Sequence, residues 1–140
     1  MTAFSNIPAQ AVLPLDAYQL DHLEREARRA DQRWLYADCG GAQDKAAVLA
    51  AIGRGFGLPP HYGANLDALY DCLTDLEPAP DAAHPGLVVV LEHLPDGQQF
   101  SAQQRDALLD VFREAADYFY DRDTAFRVFY SVRRTGAPPG

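Results

Sequence analysis

Five consecutive apolar residues, Leu87-Val88-Val89-Val90-Leu91, constrain the fold of this chain more than any other feature. A strand with one wet face alternates apolar and polar residues, and this run has no polar face to offer. A strand of that kind is buried on both sides, which indicates a parallel sheet covered by helices. Two further runs read as strands. Trp34-Leu35-Tyr36-Ala37-Asp38 is ended by Gly40-Gly41, and Phe126-Arg127-Val128-Phe129-Tyr130-Ser131-Val132 alternates in part. Helical stretches lie between them. Residues 45–54 are Ala-rich and close at Gly55 and Gly57. Ser101 and Gln104 make a capping-box pattern opening a helix that runs to about 118–121. Leu108, Val111, Phe112, Ala115 and Phe119 fall on one side of that helix, and Asp110, Glu114, Asp117 and Asp121 on the other. Strands alternating with helices predict an α/β domain with right-handed crossovers.

At 140 residues and 48% hydrophobic content, one domain with a sizeable core is expected. Residues 1–15 are apolar but interrupted by Pro8 and Pro14, and read as irregular. Asp16 reads as the cap of a helix with Leu20, Leu23 and Ala27 on its stripe and Arg28 and Arg29 near its end. Residues 1–32 are therefore expected to form an extension with one helix, 33–132 the main domain, and 133–140 a frayed Pro/Gly-rich tail. The start lacks the basic and apolar blocks of a secretory signal, and no apolar stretch reaches membrane-spanning length. Cys39 and Cys72 belong to no CxxC pair and read as buried free thiols in a reducing compartment. A cytoplasmic protein is expected. Twenty acidic residues against 12 basic give a net charge of −8. That balance argues against nucleic-acid binding, which needs cations to neutralise phosphates, and it suits either a basic protein partner or mere solubility.

The segment Pro59-Pro60-His61-Tyr62-Gly63-Ala64-Asn65-Leu66-Asp67-Ala68-Leu69-Tyr70-Asp71-Cys72 concentrates the functional signal. The Pro pair stops what precedes it, Tyr62-Gly63 makes a turn, and Asn65 is a good N-cap. Leu66, Leu69 and Leu73 then recur at helical spacing, while Asp67 and Asp71 lie four apart on the other flank beside Thr74. Like charges at that spacing cost a few tenths of a kcal/mol in an isolated helix. The helix dipole helps Asp67 but leaves Asp71 uncompensated. Turn geometry and capping account for Gly63 and Asn65, and direct contact with a partner suits them equally. Tyr62 and Tyr70 are amphipathic aromatics fit for an interface rim, and Tyr62 is as well suited to the core.

Leu58-Pro59, Tyr62-Gly63, Asn65-Leu66-Asp67-Ala68-Leu69 and Asp71-Cys72-Leu73-Thr74 resemble the signature of the barstar family, and Val111-Phe112-Arg113-Glu114-Ala115 matches a second stretch of it. These are small intracellular inhibitors of barnase-type ribonucleases. The resemblance covers roughly residues 34–132 and implies a three-stranded parallel sheet with helices against it. It also implies that Asp67, Asp71 and Glu114 reach into the basic active site of a ribonuclease, with Asp71 in the place of a phosphate. His61, Tyr62, Gly63, Asn65, Tyr70 and Thr74 would complete the contact. The chain departs from the family at several places. His61 replaces an aromatic, Ala64 a frequent Glu, Tyr70 and Leu76 stand where Trp occurs, and Tyr118 replaces a carboxylate one turn after Glu114. Asp117 or Asp121 could supply charge nearby. The implied partner is a basic secreted ribonuclease or related toxin, bound by an immunity protein.

An enzyme is not expected. His22, His84 and His93 show no ligand spacing, and a DxxxD pair alone is a weak metal signal. Gly53, Gly55 and Gly57 end a helix instead of cradling a phosphate, and no nucleophile pair is visible. No metal and no cofactor is implied. The alternative to a ribonuclease inhibitor is an interaction module of the same fold with a partner of another kind.

Overall fold

The computed structural model describes residues 7–16, 18–59, 62–80 and 82–133. In chain order they form β1 (Gln10–Pro14), α1 (Leu20–Arg29), β2 (Arg33–Asp38), α2 (Lys45–Phe56), α3 (Leu66–Thr74), β3 (Gly86–Leu94), α4 (Ala102–Tyr120) and β4 (Ala125–Val132). The strands make one sheet in the order β1-β4-β3-β2, and every pairing is parallel. The first six residues of β3 are all buried, as expected of the run that begins at Leu87. Side chains at one register level form rows across the sheet. Val12, Val128, Val89 and Leu35 make one row, and Leu13, Phe129, Val90 and Tyr36 make the next. Successive rows point to opposite faces, because side chains alternate along a strand.

Each face has its own core. On the first, Val48, Ile52, Leu69, Leu73, Leu108 and Phe112 from α2, α3 and α4 cover Leu35, Val89 and Val128. On the second, Leu23 and Ala27 of α1 cover Val88, Val90 and Phe129, with Trp34 and Tyr36 partly buried beside them. Burying a Leu, Val or Phe contributes about 1.5–3 kcal/mol, so both layers hold the sheet. Asp44 caps α2 by accepting from the Ala47 amide at 2.9 Å, and Gly57 ends it in the left-handed region at φ 65°. Ser101 and Gln104 form the predicted capping box of α4, with bonds of 3.2 and 2.8 Å.

The sheet has four strands, and the three-stranded expectation is corrected by β1. The expectation that residues 1–15 are irregular is corrected at Gln10–Pro14, and residues 1–6 lie outside the described residues. β1 is five residues long, too short to show a period, and it ends on Pro14. An edge strand needs hydrogen-bond partners on one side only, so a terminal Pro is tolerated there. The helix that follows begins later than expected. Its N-cap is Gln19, which makes no side-chain capping bond, and Asp16 lies outside it. Leu15 and Tyr18 instead pack on the second face. The Tyr18 amide donates to the Leu15 carbonyl at 2.7 Å, and the Tyr18 ring packs edge-on against Phe129 with centroids 5.1 Å apart.

Cys39 and Cys72 are both buried and free. Burial pushes the Cys39 thiol up to about 12. Among the described residues no helix is long and apolar enough to cross a membrane. His61 and residues 134–140 of the expected tail lie outside the described residues.

Candidate functional site

The turn before α3 is built from several local bonds. The Tyr62 amide donates to the Pro59 carbonyl at 2.9 Å. The Tyr62 ring lies over Gly53, where a β-carbon would meet the ring at 2.9 Å, and its hydroxyl donates to the Leu49 carbonyl at 3.2 Å. Burial pushes that hydroxyl up to about 12. Of the two places open to Tyr62, core and rim, the ring thus takes the packed one. Ala64 turns the chain at φ 51°, a conformation that costs an L-residue about 1–2 kcal/mol. Asn65 then caps α3, its Oδ1 accepting from the Ala68 amide at 2.8 Å. Gly63 and Asn65 are both exposed.

This start fixes the roll of α3. Leu69, Cys72 and Leu73 are buried, and Asp67 and Asp71 are exposed. Along α4, Val111, Phe112 and Ala115 are buried while Glu114 and Asp117 are exposed. The two helices pack side by side. Between them runs a groove of about 450 Å³ lined by Leu66, Asp67, Tyr70, Asp71, Val111, Glu114 and Asp117. The apolar members floor it and four carboxylates rim it. Asp67, Asp71 and Glu114, singled out in the sequence, are thereby brought together. Asp117, read only as one of two nearby charges, joins them, and Asp121 does not line the groove. The signal for Asp117 was its spacing of three from Glu114, which sets both on one helix face.

None of these four carboxylates makes a side-chain hydrogen bond or ion pair among the described residues. The cation next in sequence, Arg113, is engaged by Asp110 at 2.6 Å. The groove is therefore a concentration of carboxylates without an ion pair among the described residues. Its carboxylates are also spread out. Among the described residues no three His, Cys, Asp or Glu side chains could hold one metal ion together.

The remaining predicted contacts are distributed unevenly. Tyr70 lines the groove and is half-buried. Thr74 does not line it, and its hydroxyl donates back to the Tyr70 and Asp71 carbonyls at 3.0 and 3.2 Å. A larger cavity of about 620 Å³ lies at the start of β3 and β4 among Gln32, His84, Thr124 and Arg127, and shares no residue with the acidic groove. Its Arg127 is buried and donates to the Ile7 carbonyl and to Gln32 Oε1 at 3.3–3.4 Å.

Comparison with known proteins bears on the same two helices. The sequence model of the family described as Barstar (barnase inhibitor) matches residues 32–131. A curated relative from Bacillus subtilis (strain 168), described as "Putative ribonuclease inhibitor YrdF", is 36% identical over 63 residues. That alignment takes in 45% of this chain and 63% of the relative, so the chain spans less than two thirds of the relative's length. The family match opens one residue before β2, closes one residue short of the end of β4, and takes in both helices that carry the groove. Over that span the chain belongs to the barstar family.

Proposed function

We propose that this protein inhibits a barnase-type ribonuclease by laying the α3–α4 groove over the enzyme's basic active site. The observation that carries this reading is the set of four carboxylates, drawn from two helices, that line one groove without a cation of their own. Repulsion within such a set works against folding, and among the described residues no ion pair offsets it. A cationic partner would.

The chemistry follows from what a ribonuclease must do. Its cleft holds a phosphodiester and so presents Arg, Lys and His. A carboxylate replaces a phosphate as acceptor and takes bidentate hydrogen bonds from Arg. Because the acids here are spread out, they suit several separate cations better than a single ion. Asp71 takes the central place, between Asp67 one turn earlier and Glu114 from the facing helix. Leu66 and Val111 give an apolar floor that excludes water and strengthens those contacts. No bond of the inhibitor is offered for cleavage, so the protein acts by stoichiometric occupation. The family and the relative's description both support this reading.

The test is titration of barnase-type ribonucleases with the protein while RNA cleavage is followed. Inhibition saturating at one equivalent is expected. Asp71→Ala is expected to weaken binding by about 2–5 kcal/mol, a range to which the barnase–barstar pair itself contributes. Cleavage unaffected by the wild-type protein, or inhibition indifferent to Asp71→Ala, would remove the proposal.

A further inference from the structure

The seam between α3 and α4 does not end at the acidic groove. A second groove of about 350 Å³ continues it toward the ends of both helices, lined by Thr74, Asp75, Leu76 and Glu77 on one side and by Tyr118 and Arg122 on the other. The charge is mixed here, Asp75 and Glu77 sharing the groove with one cation, Arg122. The Arg122 guanidinium lies 3.6 Å from the centroid of the Tyr118 ring, and its Nη1 donates to the Tyr118 carbonyl at 2.9 Å. That bond satisfies a carbonyl in the last turn of α4 and uses one of five N–H donors. Asp75 and Glu77 line the same groove, yet Arg122 makes no ion pair among the described residues. It is exposed.

An arginine held this way differs from a loose surface cation. The ring beneath and the carbonyl beside it fix its plane, so little rotamer entropy remains to be lost on binding. A fixed, planar guanidinium is matched by a carboxylate, which takes two parallel hydrogen bonds from it. A partner cation placed directly on it would meet a like charge.

We infer that Arg122, shelved on Tyr118, is a specificity-determining contact, and that the ribonuclease places a carboxylate against it at the edge of its basic cleft. This rests on reading the acidic groove as the ribonuclease-facing surface. The two grooves then read as one footprint, four carboxylates in the first and Asp75, Glu77 and the cation Arg122 in the second, and the partner sets an acceptor against that cation. Discrimination follows, because a ribonuclease with Arg or Lys at that place meets a like charge.

Charge reversal tests this with opposite signs. To a uniformly basic partner, Arg122→Glu replaces a positive charge by a negative one on an already acidic inhibitor and should speed association and tighten binding. The inferred contact requires the reverse, a loss of affinity of roughly threefold to tenfold. Arg122→Lys keeps the charge but gives up the planar stack and the paired hydrogen bonds, so it should bind more weakly than wild type and more tightly than Arg122→Glu, at an unchanged melting temperature. Binding is measured by surface plasmon resonance against a panel of barnase-type ribonucleases, with thermal melting to confirm that each variant folds and Arg122→Gln as the milder substitute should Arg122→Glu not fold. Arg122→Glu binding as tightly as wild type or more tightly overturns the inference, and so does Arg122→Gln within error of wild type. If Asp71→Ala leaves binding intact, the inhibitor reading fails on its own account. If no member of the panel binds the wild-type protein, both fall together.

Discussion

At Tyr62 a single side chain ties the turn before α3 to the helix before it. The hydroxyl is bonded to the Leu49 carbonyl and the ring fills the space above Gly53. Removing the hydroxyl in Tyr62→Phe should cost about 0.5–1.5 kcal/mol of stability in urea denaturation. Gly53→Ala should cost about 1–3 kcal/mol, since the added methyl must displace the ring. Alkaline titration gives the same contact a sign. Tyr62 and Cys39 are both held neutral by burial, each up to about 12. In the unfolded chain they ionise from about pH 10 and 8.5 respectively. Below those values both states are protonated and the stability is full. As pH rises the unfolded chain loses protons first, so stability falls from about pH 9 until the folded groups titrate near 12. Tyr62→Phe should make the fall above pH 10 shallower, which a pH series of melting curves would show. No local rule decides the inward turn of Tyr62, because an amphipathic ring beside a turn suits core and rim alike. The Asn65 cap, by contrast, follows from residue type and position. The left-handed Ala64 is illegible in the sequence, since Ala disfavours that region.

At the scale of elements, legibility tracks length and period. α4 announces itself by a capping box and four turns of apolar spacing, and β3 by its unbroken apolar run. β1 has five residues and a Pro, and only its pairing with β4 makes it a strand. The role of α1 is hidden for a related reason. Its stripe is visible, but the sheet face it covers is defined only once the strands are assembled. Leu23 is 1% exposed in the second core. Leu23→Ala should therefore cost about 2–5 kcal/mol, as deletion of any well-packed core side chain does. An appended helix would lose far less. The single tryptophan, Trp34, packs partly buried against that core and reports on it directly. Fluorescence and far-ultraviolet circular dichroism should give one coincident urea transition in the wild type and in Leu23→Ala. A Trp34 transition that precedes the dichroism would mean that α1 detaches while the rest stays folded.

Across the whole molecule, the net charge of −8 was plain from composition, and its placement was not. Asp71 and Glu114 lie on helices separated by a complete strand, so no local pattern joins them, and the resemblance carried by residues 58–74 and 111–115 is what paired them in advance. Composition alone left a basic partner and simple solubility level. The proposed function takes the first, because solubility asks only for dispersed charge, and here four carboxylates line one groove. Long-range field and short-range contact then make different demands on kinetics. The field of an acidic inhibitor steers a basic ribonuclease toward it from beyond contact distance, and salt shortens its reach from about 10 Å at 0.1 M to 3 Å at 1 M. Association with a ribonuclease that the protein inhibits should therefore slow by about tenfold or more over that range, while dissociation changes much less. Asp71→Ala should act chiefly on dissociation, because it empties the centre of a contact from which water is excluded. Asp106→Asn removes an equal charge from α4 at an exposed residue outside the groove lining, and should lower the association rate slightly with no effect on dissociation. If both variants slowed association equally and neither changed dissociation, the groove would be part of a diffuse acidic surface and Asp71 would make no specific contact.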